Sequence, residues 1–324
     1  MSVSFYRNHA TFEENLSSVF KLQFQNEPVF RRFCEALRVE ENELLNADTV
    51  PLLPVEAFRD ATIGDSELAE ITFKSSGTTG TKRSIHYVKS ADIYRESISQ
   101  GIRHFYPIDS FVILGYTPGY HENPNSSLIW MLQYLIEEDT SRMSRFLPLG
   151  KPISEKLISD IRNAHKRIML FGAAFGLMDM AETFPIKLPA DSIIMETGGM
   201  KTHRREMKRQ DMHQKLADAF GLASENIHSE YGMTELLSQA YSDGSGWFRS
   251  PPWMRISIRN PENPMQALPD GEEGLIGIID LANVHSCSFL LTGDKGVRDK
   301  DCFMVLGRYE PENLRGCNFL IDKD

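Results

Sequence analysis

Cysteine is scarce in this chain. Its four thiols, Cys34, Cys287, Cys302 and Cys317, include no Cys-x-x-Cys pair. That pattern signals neither a zinc site nor a disulfide framework, and the thiols are read as reduced. Long apolar runs are missing as well: none reaches the ~18 residues that a membrane span needs. Met1 to Asn8 carry neither the charged start nor the apolar core of a secretory signal. A cytoplasmic protein without a membrane span is therefore expected. Positive charge is also in deficit, with 35 Lys and Arg against 45 Asp and Glu, a formal net charge of −10. A general nucleic-acid binder would show a broad basic face, so that class is set aside. Internal repeats and low-complexity tracts are absent too, and one compound unit is the economical reading of 324 residues.

What the chain does have is a loop built for an anion. Lys74-Ser75-Ser76-Gly77-Thr78-Thr79-Gly80-Thr81-Lys82 packs hydroxyls, glycines and a terminal lysine together with nothing large enough to bury. Glycines let the backbone turn with positive φ and bring N–H groups close to a ligand, while hydroxyls and an ammonium add donors. Phosphate is the natural guest. The spacing is not that of a Walker A loop, because only two residues separate Gly77 from Gly80 and Arg83 follows Lys82. Ile71 and Phe73 before the loop, and Ile85, Tyr87 and Val88 after it, predict flanking strands. Taken alone, the stretch also fits a solvated turn between two strands.

Elsewhere the pattern changes along the chain. In residues 1–70, Val29, Phe33 and Leu37, with Phe30 and Ala36 beside them, predict one buried helix face, with Cys34 packing next to it. Pro51-Leu52-Leu53-Pro54-Val55 breaks any helix and marks a boundary. From about 71 to 244, short apolar runs alternate with amphipathic ones, which argues for βα units. Phe111 to Leu114, Ile168 to Phe171 and Ser192 to Met195 read as strands; Ser126 to Ile136 and the stretch around Leu157, Ile158 and Ile161 read as helices. Gly172-Ala173-Ala174-Phe175-Gly176 reads as a turn of small residues, lining a channel or permitting tight packing. A helix is expected from about His203 to Phe220, with Gly221 as its stop. Beyond 245, short β-type runs separated by Pro, Gly, Asn and Asp predict a β-rich subdomain.

Three further motifs complete the constellation. Tyr231-Gly232-Met233-Thr234-Glu235 offers an aromatic face for a purine and a hard carboxylate for a hard cation, although a helix-start cap is the plainer account of such a string. Leu291-Thr292-Gly293-Asp294 and Gly307-Arg308 follow, each compatible with a simple turn. With the Ser/Thr/Gly loop, these four in order resemble the motifs of the adenylate-forming superfamily, the acyl-CoA synthetases, luciferases and peptide-synthetase adenylation domains. Gly198-Gly199 falls where that superfamily places a glycine segment beside adenine. Within it, Pro51 to Val55, Gly198-Gly199-Met200-Lys201 and the short C-terminus most resemble the acyl-protein synthetases of the bacterial bioluminescence fatty-acid reductase complex.

The resemblance implies an α/β adenylate-forming core over 1–306, with a helical start (1–70), an α/β part (71–244) and a β-rich part (245–306). Residues 307–324 would be a hinge-like tail, and the C-terminal mobile domain of larger relatives, with its second lysine, is expected to be absent. It implies ATP and Mg²⁺ as cofactors and a small-molecule carboxylic acid, fatty in class, as substrate. By the same resemblance Ser75, Ser76, Gly77, Thr78, Thr79, Gly80 and Lys82 hold phosphates, and Gly198, Gly199, Tyr231, Gly232 and Thr234 face the nucleotide. Glu235 takes the metal, Asp294 the ribose hydroxyls, Arg308 the nucleotide, and Cys317, in Arg315-Gly316-Cys317-Asn318, the acyl group. An acyl reductase or carrier protein is the implied partner. The rivals are a synthetase that delivers to coenzyme A or a carrier protein, and a nucleotide- or acyl-binding subunit without turnover.

Overall fold

Phe111–Tyr116, Arg167–Ala173 and Ile193–Thr197 are buried along nearly their whole length, as near-continuous apolar strands are when helices cover both faces of a parallel sheet. The computed structural model describes residues 10–43, 45–75, 82–118, 124–198 and 207–309. Within them the helices are α1 (Phe12–Asn26), α2 (Pro28–Ala36), α3 (Ala57–Asp60), α4 (Ala91–Phe105), α5 (Ser127–Glu137), α6 (Glu155–Asn163), α7 (Ala174–Thr183) and α8 (Arg209–Phe220). The strands are β1 (Leu53–Pro54), β2 (Ile71–Lys74), β3 (Ile85–Val88), β4 (Phe111–Tyr116), β5 (Arg145–Phe146), β6 (Arg167–Ala173), β7 (Ile193–Thr197) and β8 (Ile227–Tyr231). They continue as β9 (Ala240–Ser242), β10 (Phe248–Arg249), β11 (Met254–Arg259), β12 (Glu273–Asp280), β13 (Phe289–Asp299) and β14 (Cys302–Arg308).

One 12-stranded sheet runs in the order β11-β12-β13-β14-β10-β9-β8-β7-β6-β4-β5, with β1 added in parallel beside β13. The steps from β5 to β8 are parallel and those from β8 to β11 antiparallel. The βα alternation therefore passes into the β-rich part without a break in hydrogen bonding. Strand alternation sorts the core. Phe111, Ile113, Met169, Phe171, Ile193 and Met195 face one cluster with α1, α2, α4 and α5. Val112, Leu114, Ile168, Leu170 and Ile194 face the other, with α6, α7 and α8. No helix among the described residues is long and apolar enough to cross a membrane.

Three local expectations change. On α2 the fully buried residues are Phe30 and Cys34, whereas Val29 and Phe33 are half-buried and Leu37 is exposed, so the inward face is rotated by one position. Phe30 stacks on Phe289 of β13 with ring centroids 5.3 Å apart, and that contact sets the helix's rotation. Gly172 to Gly176 is no turn: the first two residues finish β6 and the rest begin α7. A Cβ at Gly172 would stand 2.0 Å from the Tyr116 carbonyl oxygen, and one at Gly176 2.5 Å from Pro118 Cδ, so close packing demands both glycines. Helix α8 begins at Arg209 rather than near His203, the intervening residues up to 206 lying outside the described set. Its end is as expected, with Gly221 left-handed at φ 65°.

Candidate nucleotide site

The Ser/Thr/Gly stretch connects β2 to β3, which pair antiparallel. Ser75 and Ser84 clasp its base: Ser75 N–H donates to the Ser84 carbonyl (3.1 Å) and Ser84 N–H to Ser75 Oγ (3.0 Å). Ser76, Gly77, Thr78, Thr79 and Gly80 lie outside the described residues, as do Gly199 and Cys317. Lys82 is exposed, and its charge helps hold the Asp60 carboxyl below its usual range, after the larger contribution of the Arg59 hydrogen bond.

Tyr231, Asp294 and Arg308 come together from three strands. The Tyr231 hydroxyl donates to Asp294 Oδ2 at 2.9 Å, and Arg308 Nε lies 3.1 Å from Asp294 Oδ1. Phe248 and Phe303 pack edgewise on the Tyr231 ring at 5.9 and 5.6 Å. Asp294 lies within β13 and is held locally, since its N–H donates to Thr292 Oγ1 (3.1 Å), whose hydroxyl donates to the Ile276 carbonyl (2.9 Å). Gly293 keeps the position open: a Cβ there would stand 3.2 Å from Arg308 Nη1 and 3.8 Å from Glu56 Oε1. Gly198, with φ 75°, directly follows β7.

No helix starts at Tyr231-Gly232-Met233-Thr234-Glu235, so the capping account of that motif fails. Glu235 is 7% exposed, not set in an open polar loop. Burial raises its pKa, while a hydrogen bond from Ser84 and the Arg308 charge oppose the rise. Its backbone is fixed from two sides. Asn283 Nδ2 donates to the Glu235 carbonyl (2.7 Å), and His86 Nδ1 donates to the Thr234 carbonyl (2.8 Å). His86 Nε2 lies 2.9 Å from Ser286 Oγ, whose hydroxyl donates to Asn283 Oδ1 (2.8 Å). Burial pushes this histidine down to about 4, in keeping with a neutral ring. Just beyond, buried Asp280 accepts from Leu237 N–H, Ser238 N–H, Ser238 Oγ and Ala282 N–H, which locks the turn after Glu235.

Sequence reasoning assigned no part to Ser84, His86, Glu56 or Asn283. Ser84 and His86 flank a loop already singled out, which was the available signal. Glu56 and Asn283 reach the site only through the pairing of β1 with β13 and the turn after β12. Among the described residues no three His, Cys, Asp or Glu side chains converge on a metal position.

Solved structures with this fold include an open form of 2-hydroxyisobutyryl-CoA ligase in complex with 2-HIB-AMP and CoA. It matches with a TM-score of 0.62 and 14% identity over 94% of this chain and 71% of that one. ATP-bound MatB from Rhodopseudomonas palustris matches with a TM-score of 0.51 and 18% identity over 73% and 47%. In sequence, the long-chain-fatty-acid–luciferin-component ligase of Vibrio harveyi is 24% identical over 334 residues, covering 93% of this chain and 85% of its own. The acyl-protein synthetase family, LuxE, matches residues 1–324, and the chain belongs to that family.

Proposed function

We propose that the Tyr231–Asp294–Arg308 constellation holds the nucleoside of an acyl-adenylate, with Glu235 and the hairpin loop serving the phosphates. Membership of the acyl-protein synthetase family makes the chain a ligase that activates an acyl group with ATP and transfers it. In the first step a carboxylate oxygen of the acid attacks the α-phosphorus, the bond to pyrophosphate breaks, and pyrophosphate leaves with its electron pair. In the second a thiolate attacks the acyl carbon and AMP departs, leaving a thioester.

The observation that carries this reading is the junction itself: a buried aromatic, a carboxylate and a guanidinium from β8, β13 and β14 within hydrogen-bonding distance. Asp294 accepts from ribose hydroxyls, Arg308 neutralises phosphate charge as well as orienting Asp294, and Lys82 at the mouth of the loop faces the departing pyrophosphate. Glu235 suits Mg²⁺, because a desolvated carboxylate with a raised pKa gains from a hard cation, and Mg²⁺ needs only one or two carboxylates beside substrate phosphates. When bound, the ion neutralises charge developing on the phosphates.

The acid is a carboxylic acid of the fatty class, and the acceptor thiol is Cys317. Among the described thiols Cys34 and Cys287 are buried, and burial pushes Cys34 up to about 12. Cys302 starts β14, at the opposite end of that strand from Arg308. None of these suits attack on an adenylate. An acyl reductase or a carrier protein then takes the acyl group onward. Carboxylate-dependent exchange of labelled pyrophosphate into ATP tests the reading. Exchange that appears only with an added acid is expected, and its absence across a broad acid panel would overturn the adenylation step.

A further inference from the structure

Beside Tyr231, facing the α4 and α5 side of the sheet, lies a group of buried polar side chains that the nucleotide reading leaves unused. Glu230 is 6% exposed and makes no ion pair among the described residues; its Oε2 accepts a short hydrogen bond from Thr197 Oγ1, at the C-terminal end of β7. Its register partner on β9 is Tyr241, 2% exposed, whose hydroxyl has no hydrogen-bond partner among the described residues. Gln239, 6% exposed, leaves its Oε1 without one as well. Gly232 lies between Glu230 and Gln239. A Cβ there would stand 2.5 Å from Glu230 Oε1 and 3.5 Å from Gln239 Cγ, so a side chain at 232 would fill the ground between them.

A buried acceptor left unpaired is costly, and folded proteins satisfy nearly all such groups. Here, among the described residues, an amide oxygen and a phenol without partners share a sheet face with a carboxyl that has no ion pair. The place is the C-terminal end of parallel strands β7 and β8, where open α/β sheets bind ligands. It neighbours Gly198 and Tyr231 along the chain, on the face of β8 opposite the Tyr231 ring. Acceptors outnumber donors once Glu230 is ionised: its carboxylate and Gln239 Oε1 then accept only, Thr197 is already engaged, and Tyr241 can do either. The missing complement is a hydrogen-bond donor.

We propose that Glu230, Gln239 and Tyr241 receive an O–H or N–H group carried on the chain of the acid being activated, so that the substrate class is a hydroxyl- or amino-bearing carboxylic acid rather than an unsubstituted one. The proposal rests on the acyl-activation reading above. A site built around buried acceptors rejects an analogue without the donor far more strongly than an apolar pocket rejects an extra hydroxyl.

The test is pyrophosphate exchange with the full chain on length-matched acids in four arms: unsubstituted, hydroxyl-bearing, amino-bearing and methoxy-bearing. At least tenfold higher kcat/KM for a donor-bearing arm over both the unsubstituted and the methoxy arms is expected. Gln239→Leu and Glu230→Gln should each shrink that ratio severalfold or more. Gln239→Leu should also unfold at no lower temperature than the parent, since it removes an unpaired buried oxygen; Glu230→Gln, an isosteric change, serves if it does not fold. Burial raises the Glu230 carboxyl to about 7, so preference for an amino group should grow as pH rises through 7, while preference for a hydroxyl should not. Equal use of unsubstituted acids, or a preference untouched by both variants, would overturn the inference and leave adenylation standing. Exchange with no acid would overturn both.

Discussion

The Tyr231 hydroxyl and Asp294 Oδ2 are 2.9 Å apart, a bond that ties together two motifs separated by 63 residues. Arg308 holds the other carboxylate oxygen, so Asp294 is braced on both sides. Removing one brace with Tyr231→Phe keeps the ring between Phe248 and Phe303 but lets Asp294 swing. A hydrogen bond to a charged group contributes roughly 1.5–3 kcal/mol, so KM for ATP should rise about tenfold or more, with a smaller change in kcat. Steady-state exchange kinetics at varied ATP decide it; an unchanged KM would show that Asp294 does not engage the nucleotide.

Lys82 is exposed, and Lys82→Ala should leave thermal stability near the parent value while slowing exchange by about 10²–10³-fold, the usual loss for one charge-stabilising donor. Glu235 needs a gentler change because it is buried. Glu235→Gln retains the shape and the Ser84 contact, and should lower exchange similarly while raising the Mg²⁺ concentration needed for half-maximal rate. A variant that keeps parental exchange would remove that residue from the phosphate site.

Cys317→Ser should abolish a hydroxylamine-labile label left on the protein by ATP and a radiolabelled acid, while pyrophosphate release continues. A label that persists in the variant would move the acceptor to another thiol. No label on the parent would favour coenzyme A or a carrier protein.

Much of the candidate site was legible because its motifs combine unusual residue types at close spacing: Thr292, two residues before Asp294, accepts from the Asp294 N–H, although the stretch lies within β13 and is not the simple turn expected. The strand and helix periods were legible for the same local reason. The rotation of α2 was not, because Phe289, more than 250 residues away, selects which of two adjacent apolar positions faces inward. Nor was the role of His86, whose bond to the Thr234 carbonyl spans 148 residues. Glu230 stands beside a recognised tyrosine, yet its meaning lies in strand register with Tyr241, which no local pattern encodes.

His228 and His86 are both pushed down to about 4 by burial, so the unfolded chain binds more protons between about 6.5 and 4. Stability from these two groups is therefore present above 6.5 and lost as pH falls toward 4. Glu230, raised to about 7, works the other way, contributing below about 4.5 and losing that contribution as pH rises through 7. His228→Gln still offers Tyr106 an acceptor. Urea unfolding of parent and variant from pH 7 to 4 should show a difference that changes by up to about 1.4 kcal/mol per pH unit. Parallel curves would mean that His228 is not buried neutral.

Arg259 is fully buried and donates to the carbonyls of Ala47, Asp48, Val50 and Met265 and to Ser257 Oγ. Burial lowers its pKa to about 10, so it remains charged at neutral pH. Arg259→Met would leave several carbonyls unpaired at roughly 1–3 kcal/mol each, and a loss of about 3 kcal/mol or more in urea unfolding is expected. A loss under about 1 kcal/mol would contradict this role.

That arginine belongs to a wider pattern in how residues 12–60 are held. Gln23 bonds the backbone at Asn283, Val284 and Ser288; Phe20 and Phe30 pack on Phe289; Leu53 and Pro54 pair with Leu290 and Leu291. This segment thus finds its partners on strands made well after it. At 5–20 residues per second it waits roughly 10–50 s with its apolar faces unmatched. Birth order and packing order run opposite ways here, so α1 and α2 cannot bury their inward faces until β13 has been made.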